Sequence, residues 1–184
     1  MSIFKSIFSA LIRPLQLFAM TLVLCILSAC ATPDTQRFQT DPNKPQTLET
    51  IRTIYSNRTM LTQSAHGTQI EYHDESGVSH LWYPGNSRGV PAKWNVRLDK
   101  DGHDICWKYP VLSYNPLTRR VGGLWECTPD RSYFPSLVQI IEGDPFGLDT
   151  GRIPYRLGRG KFSAEDLAKQ VGIPLSDIRI LHQN

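Results

Sequence analysis

Two short runs of alternating side chains constrain this chain more than anything else in it. Trp94-Asn95-Val96-Arg97-Leu98 and Ile105-Cys106-Trp107-Lys108-Tyr109 flank Asp99-Lys100-Asp101-Gly102-His103-Asp104. A period of two belongs to the β-strand, and a Gly-containing connection between two such runs belongs to a hairpin. The pattern predicts that Trp94, Val96 and Leu98 share one face, that Ile105, Trp107 and Tyr109 share the matching face of the next strand, and that all six meet one core. The same period extends back to Thr59. Ile70 and Tyr72 alternate with Gln69, Glu71 and His73 ahead of the turn-like Asp74-Glu75-Ser76-Gly77, and Trp82 precedes Pro84-Gly85-Asn86. Leu124–Cys127 and Leu137–Ile141 read as two further strands.

Both ends of this region change to helical spacing. Behind a Thr47 N-cap, Leu48, Ile51 and Ile54/Tyr55 recur at three and four residues. Near the end Ser163 caps, Asp166 follows three residues on, Leu167 and Val171 face inward, and Gly172 stops the helix. The expected fold is therefore mainly β (α+β), with a meander of about six short antiparallel strands between a short N-terminal and a short C-terminal helix. Sheet edges must be closed or covered, so a small barrel or curved sheet is the expected architecture. No internal repeat is visible.

The first thirty residues follow a different logic. Lys5 and Arg13 precede a stretch without charges from Pro14 to Cys30, the arrangement of a signal peptide. Leu15 to Ala29 would span roughly 22 Å as a helix against a hydrocarbon core of about 30 Å, which is short for a permanent span. Leu27-Ser28-Ala29-Cys30 resembles the bacterial lipobox. That resemblance implies cleavage before Cys30 and lipidation of its thiol, so that membrane lipid is held through Cys30; three acyl chains exceed what stable anchoring needs. Ala31, in place of an Asp, implies sorting to the outer membrane facing the periplasm, with inner-membrane anchoring as the alternative. An ordinary secretory signal or an uncleaved anchor, with Cys30 a small buried residue, is the competing reading. The organisation expected is 1–29 signal peptide, 30–46 lipidated Cys and flexible tether, and 47–184 a single β-rich domain. The tether's Pro, Thr, Gln and Asp, with Phe38 as its one large apolar side chain, cannot build a core.

Of the 20 Lys and Arg in the 184 residues, only Lys5 and Arg13 precede Cys30, so 18 basic face 17 acidic residues after it. Near-neutrality gives no global attraction to nucleic acid, and none is expected as a partner. Of four cysteines, Cys25 leaves with the signal and Cys30 takes lipid. Cys106 and Cys127 remain, each on an expected strand, and outside the inner membrane disulfides persist. A structural disulfide is expected, with two buried free thiols as the alternative.

No residue set specifies a catalyst, cofactor or metal. His66, His73 and His80 recur every seven residues, a spacing that puts successive strand residues on opposite faces rather than around one ion; exposed strand and turn histidines are expected. Glu142 and Asp144 read as solvated acids at a strand end, although paired carboxylates would suit glycan cleavage. Gly85-Asn86-Ser87-Arg88-Gly89 lacks the Lys-Ser/Thr of a phosphate loop. Arg152, Arg156, Arg159 and Lys161 fall within ten residues and form the candidate anion-binding patch for lipid or glycan phosphates, unless they are a solvated loop balanced by Glu165 and Asp166. Trp82, Trp94, Trp107 and Trp125 read mainly as core, or as the lining of a sugar- or lipid-binding cavity.

Lys93-Trp94-Asn95-Val96, Ile105-Cys106-Trp107-Lys108-Tyr109-Pro110 and Trp125-Glu126-Cys127 together resemble the domain of unknown function 995 family of exported alphaproteobacterial proteins, over about residues 47 to 160. The family implies no activity or catalytic residue. The sequence thus points to a cell-envelope lipoprotein acting as a non-catalytic binding or structural module, with an envelope protein, anionic lipid or glycan as partner. An envelope hydrolase acting on glycan or peptidoglycan is the rival.

Overall fold

The computed structural model describes residues 47–100, 102–115 and 118–184. The expected signal peptide, Cys30 and the expected tether lie outside the described residues. Eight strands form one antiparallel sheet: β1 Arg58–Ser64, β2 Gly67–His73, β3 Val78–Trp82, β4 Val90–Asp99, β5 Gly102–Lys108, β6 Glu126–Pro129, β7 Leu137–Glu142 and β8 Ile180–Gln183. Among the described residues three short helices accompany it: α1 Leu48–Tyr55, α2 Asp130–Tyr133 and α3 Ala164–Val171. The fold is mainly β with short helices, as expected, although it has eight strands rather than about six.

The strand order is β6-β5-β4-β3-β2-β1-β7-β8. The first six strands run as a meander, and β7 returns to the far flank beside β1. In a flat sheet β6 and β7 would stand about 29 Å apart, six spacings of about 4.8 Å. Yet only Asp130–Ser136 join them, as α2 followed by a 3-10 turn at Phe134–Ser136. Such a connector reaches roughly 12 Å. The sheet must therefore curl, and it forms a half-barrel whose open seam lies between the edge strands β6 and β8, with α2 leading across it from β6 to β7.

Both faces are buried over much of the sheet. On the concave face Met60, Trp94, Val96, Ile105, Trp107, Ile140 and Leu181 pack with Ile51, Ile54 and Tyr55 of α1, while Tyr133 and Phe134 close in from the seam. Thr47 caps α1 by accepting from the Thr50 N–H. On the convex face Leu61, Ile70 and Trp82, in register across β1, β2 and β3, meet Ile141 and the chain from Phe146 to Ile178. That chain includes α3, whose Ser163–Asp166 capping box is complete and whose Gly172 stop takes a left-handed conformation. Gln139 of β7 fixes α3 to the sheet by accepting from the Ala164 N–H and donating to Glu165.

Four expectations change. Leu98 is 67% exposed, because the pair Leu98↔His103 adjoins the hairpin turn, where nothing covers the face. Residues 124–125 are not strand: β6 begins at Glu126, and Leu124 and Trp125 are exposed, so Trp125 is not core. Leu48 is also exposed. The chain ends not in helix but in β8, which adds to β7 beyond α3.

Candidate binding site in the half-barrel

In β2 the alternation sends Ile70 and Tyr72 to the convex core and Glu71 and His73 to the concave face. Across the ladder Glu71 faces Leu81, and His73 faces Ser79. Because the sheet curls, side chains from β2, β3, the end of β5 and α2 converge. The Ser79 hydroxyl donates to Glu71 Oε1 at 2.7 Å, and the Tyr109 hydroxyl donates to the same carboxyl at 3.3 and 3.4 Å. Burial of Glu71, only partly offset by these two donors, raises its carboxyl to about 7. The hydroxyls of Tyr109 and Tyr133 are held well above their ordinary range by burial and by Glu71.

His73 is fully buried, which corrects its expected placement as an exposed histidine. Its ring stacks on Trp94 with centroids 4.9 Å apart, and its Nε2 accepts the Trp107 indole N–H at 3.0 Å. Burial holds its pKa down near 3, against the opposing pull of Asp74. The neutral ring thus carries its proton on Nδ1, and that atom is buried without a hydrogen-bond partner. His73 Nε2 lies 3.9 Å from Glu71 Oε2, but a neutral ring that already accepts there makes no ion pair.

Above Glu71 the half-barrel opens into a cavity of about 700 Å³. Met60, Leu81, Trp107, Tyr109 and Tyr133 form its inner wall with Glu71, and Tyr83 with 86–91 forms one side of the mouth. The other side is the excursion between β5 and β6, held by the Tyr114↔Val121 bridge. Its fold needs glycine at 122: a Cβ there would stand 2.1 Å from the Pro110 carbonyl oxygen. Val111, Leu112, Tyr114, Val121, Leu124 and Trp125 on this excursion are all exposed. Arg120 and Glu126 pair at 3.0 Å at the mouth.

The residues singled out in the sequence are placed as follows. The sulfurs of Cys106 and Cys127 lie at disulfide-bond distance across the β5–β6 ladder. Asp104 lies close to both sulfurs, but bonded cysteines offer no thiolate to a metal, and Asp104 pairs with Arg97 at 3.2 Å. Arg152, Arg156, Arg159 and Lys161 are exposed on the loop that straps the convex face. There Arg156 donates to the Gly85 carbonyl at 2.6 Å, and the Thr68 N–H donates to the Gly160 carbonyl. Glu165 and Asp166 do not balance them as expected, since Glu165 serves Gln139 and Asp166 the capping box. His73 and His80 occupy opposite faces of neighbouring strands. Glu142 pairs with Arg179 at 2.8 Å, and the half-buried Asp144 accepts the Asp149 N–H; neither lines the cavity. Gly85–Gly89 has the Gly-x-Ser-x-Gly spelling of a nucleophile elbow. Here it is a loop between β3 and β4 with no helix behind it and Ser87 exposed, so the strand–turn–helix context of that motif is lacking.

Sequence reasoning missed Glu71, Ser79, Tyr109 and Tyr133 as one cluster. The single local signal was an acid on a strand whose other face is apolar, and that signal ordinarily marks a solvent face. No family model, curated protein or solved structure matches the chain.

Proposed function

We propose that this chain is a lipid-anchored protein of the bacterial cell envelope, held at the outer membrane through Cys30, whose half-barrel binds a small organic ligand. One observation carries the binding reading: a cavity of about 700 Å³ whose inner wall is made of aromatic and aliphatic side chains with the buried Glu71 carboxyl among them. That size and chemistry suit ligand sites, which are concave, mostly apolar and oriented by a few polar groups. A purely structural duty would be served better by a filled core. The anchoring part rests on the Leu27–Cys30 sequence alone.

The test is extraction of the protein purified from envelopes, followed by mass spectrometry of released small molecules, beside Leu81→Trp, which places an indole in the cavity. A compound bound to wild type and absent from the variant is expected. Equal recovery from both would sink the reading.

The raised carboxyl of Glu71 at the cavity wall favours a second reading, a hydrolase using Glu71 as general acid on a glycan or peptidoglycan substrate. His73 cannot share in it, because it is sealed behind Trp107. Substrate turnover abolished by Glu71→Gln with binding retained would establish this reading; binding without turnover in the wild type would dismiss it.

A further inference from the structure

We propose that the inner end of the cavity selects an organic cation, an ammonium group seated against the Glu71 carboxyl with its apolar body extending toward the mouth. The inference rests on the cavity-binding reading above and deepens it by naming the ligand class.

Glu71 is buried and faces the cavity, yet its hydrogen-bond partners are two neutral hydroxyls, Ser79 and Tyr109. Among the described residues no Lys or Arg side chain pairs with it. The nearest basic group, the His73 imidazole, is neutral and already accepts a hydrogen bond from Trp107. A buried carboxylate without a countercharge is costly, a cost the carboxyl meets by keeping its proton to about 7 and that a bound positive charge would relieve instead. A ligand ammonium supplies it and donates to the carboxyl oxygens in the same act.

The surroundings favour such a group over a plain hydrogen-bond donor. Trp107, Tyr109 and Tyr133 wall the inner end, and aromatic faces attract cations, most strongly where water is excluded. The mouth differs in charge. Arg120 there is engaged with Glu126, and among the described lining residues Arg88 is the exposed cation for which no ion pair is seen, so an anion entering head-first would leave Arg88 behind and approach a carboxyl. The mouth's apolar residues, Leu112, Tyr114 and Val121, offer cover to a hydrocarbon body.

The test uses the full-length protein in detergent and three water-soluble probes matched in shape: 4-phenylbutylammonium, 4-phenylbutanol and 4-phenylbutyrate, titrated by calorimetry. The ammonium is expected to bind at least tenfold more tightly than the alcohol, and the butyrate more weakly than either. Glu71→Gln should bring the ammonium down to the level of the alcohol, with an unchanged circular dichroism spectrum showing that the variant is folded. Leu81→Trp should abolish binding of all three. Alcohol or butyrate binding as tightly as the ammonium, yet blocked by Leu81→Trp, would overturn the cation inference and leave the cavity reading standing. Binding indifferent to Leu81→Trp, or no binding of any probe, would overturn both.

Discussion

At the residue scale the buried pair Glu71 and His73 makes stability depend on pH in two opposed ways. The Glu71 carboxyl stands near 7 in the fold against an ordinary 4.5, so its proton stabilises the folded state fully below about 4.5, and that stabilisation is lost as pH rises through 7. The difference is worth roughly 3 kcal/mol. His73, held near 3 against an ordinary 6.5, contributes stability that is present above 6.5 and lost as pH falls toward 3. Denaturant melts of wild type and Glu71→Gln between pH 4 and 8 should show wild type losing roughly 3 kcal/mol relative to the variant as pH rises. A pH-independent difference would mean that the carboxyl is solvated in the folded state. Arg97 makes a related point. It alternates outward as a solvent residue should, but it pairs with the buried Asp104. Arg97→Ala should therefore cost about 1–2 kcal/mol, where the exposed Lys93→Ala stays within about 0.5 kcal/mol.

At the scale of elements, the β4–β5 hairpin carries the concave core. Trp94 and Trp107 face each other across its ladder and are both buried, so either Trp→Ala should cost roughly 3–5 kcal/mol in denaturant midpoint measurements, out of the 5–15 kcal/mol that a domain has. Wild-type stability for Trp107→Ala would contradict its buried place between His73 and the cavity. The Cys106–Cys127 bridge closes a loop of 21 residues and should contribute about 3 kcal/mol in the chain-entropy account. Its check is the melting of the oxidised and reduced protein, with alkylation counting free thiols. Two modifiable thiols without reductant would remove the bridge. At the other end of the chain, Ser163→Ala breaks the α3 capping box and should cost about 1 kcal/mol.

At the scale of the whole molecule, the proposed anchoring and the proposed ligand capture should be separable. Cys30→Ser should abolish incorporation of an alkyne-tagged fatty acid, because it removes the one thiol at the lipobox; equal label on both proteins would place any lipid elsewhere. Ligand binding in detergent should be unaffected by the same change, because the lining of the cavity among the described residues runs from Met60 to Tyr133.

Local pattern and composition determined much of this protein. The period of two yielded the β4–β5 hairpin, the caps Thr47 and Ser163 yielded α1 and α3, and their sum yielded a mainly β fold with a curved sheet. Residue types alone also brought Cys106 and Cys127 forward as a pair. Only the tertiary structure decided which face of each strand meets what. Alternation tells that two faces differ, but not that both are covered. Here α1 and the curl cover the concave face and the 144–178 segment covers the convex one, so Glu71, His73 and Ser79 became interior although they read as solvent-facing. The curl itself depends on β7 pairing with β1, residues nearly eighty positions apart in the chain. That contact is non-local, and no propensity or spacing within a short window encodes it. It is the same contact that gathers Glu71, Tyr109 and Tyr133 around one cavity.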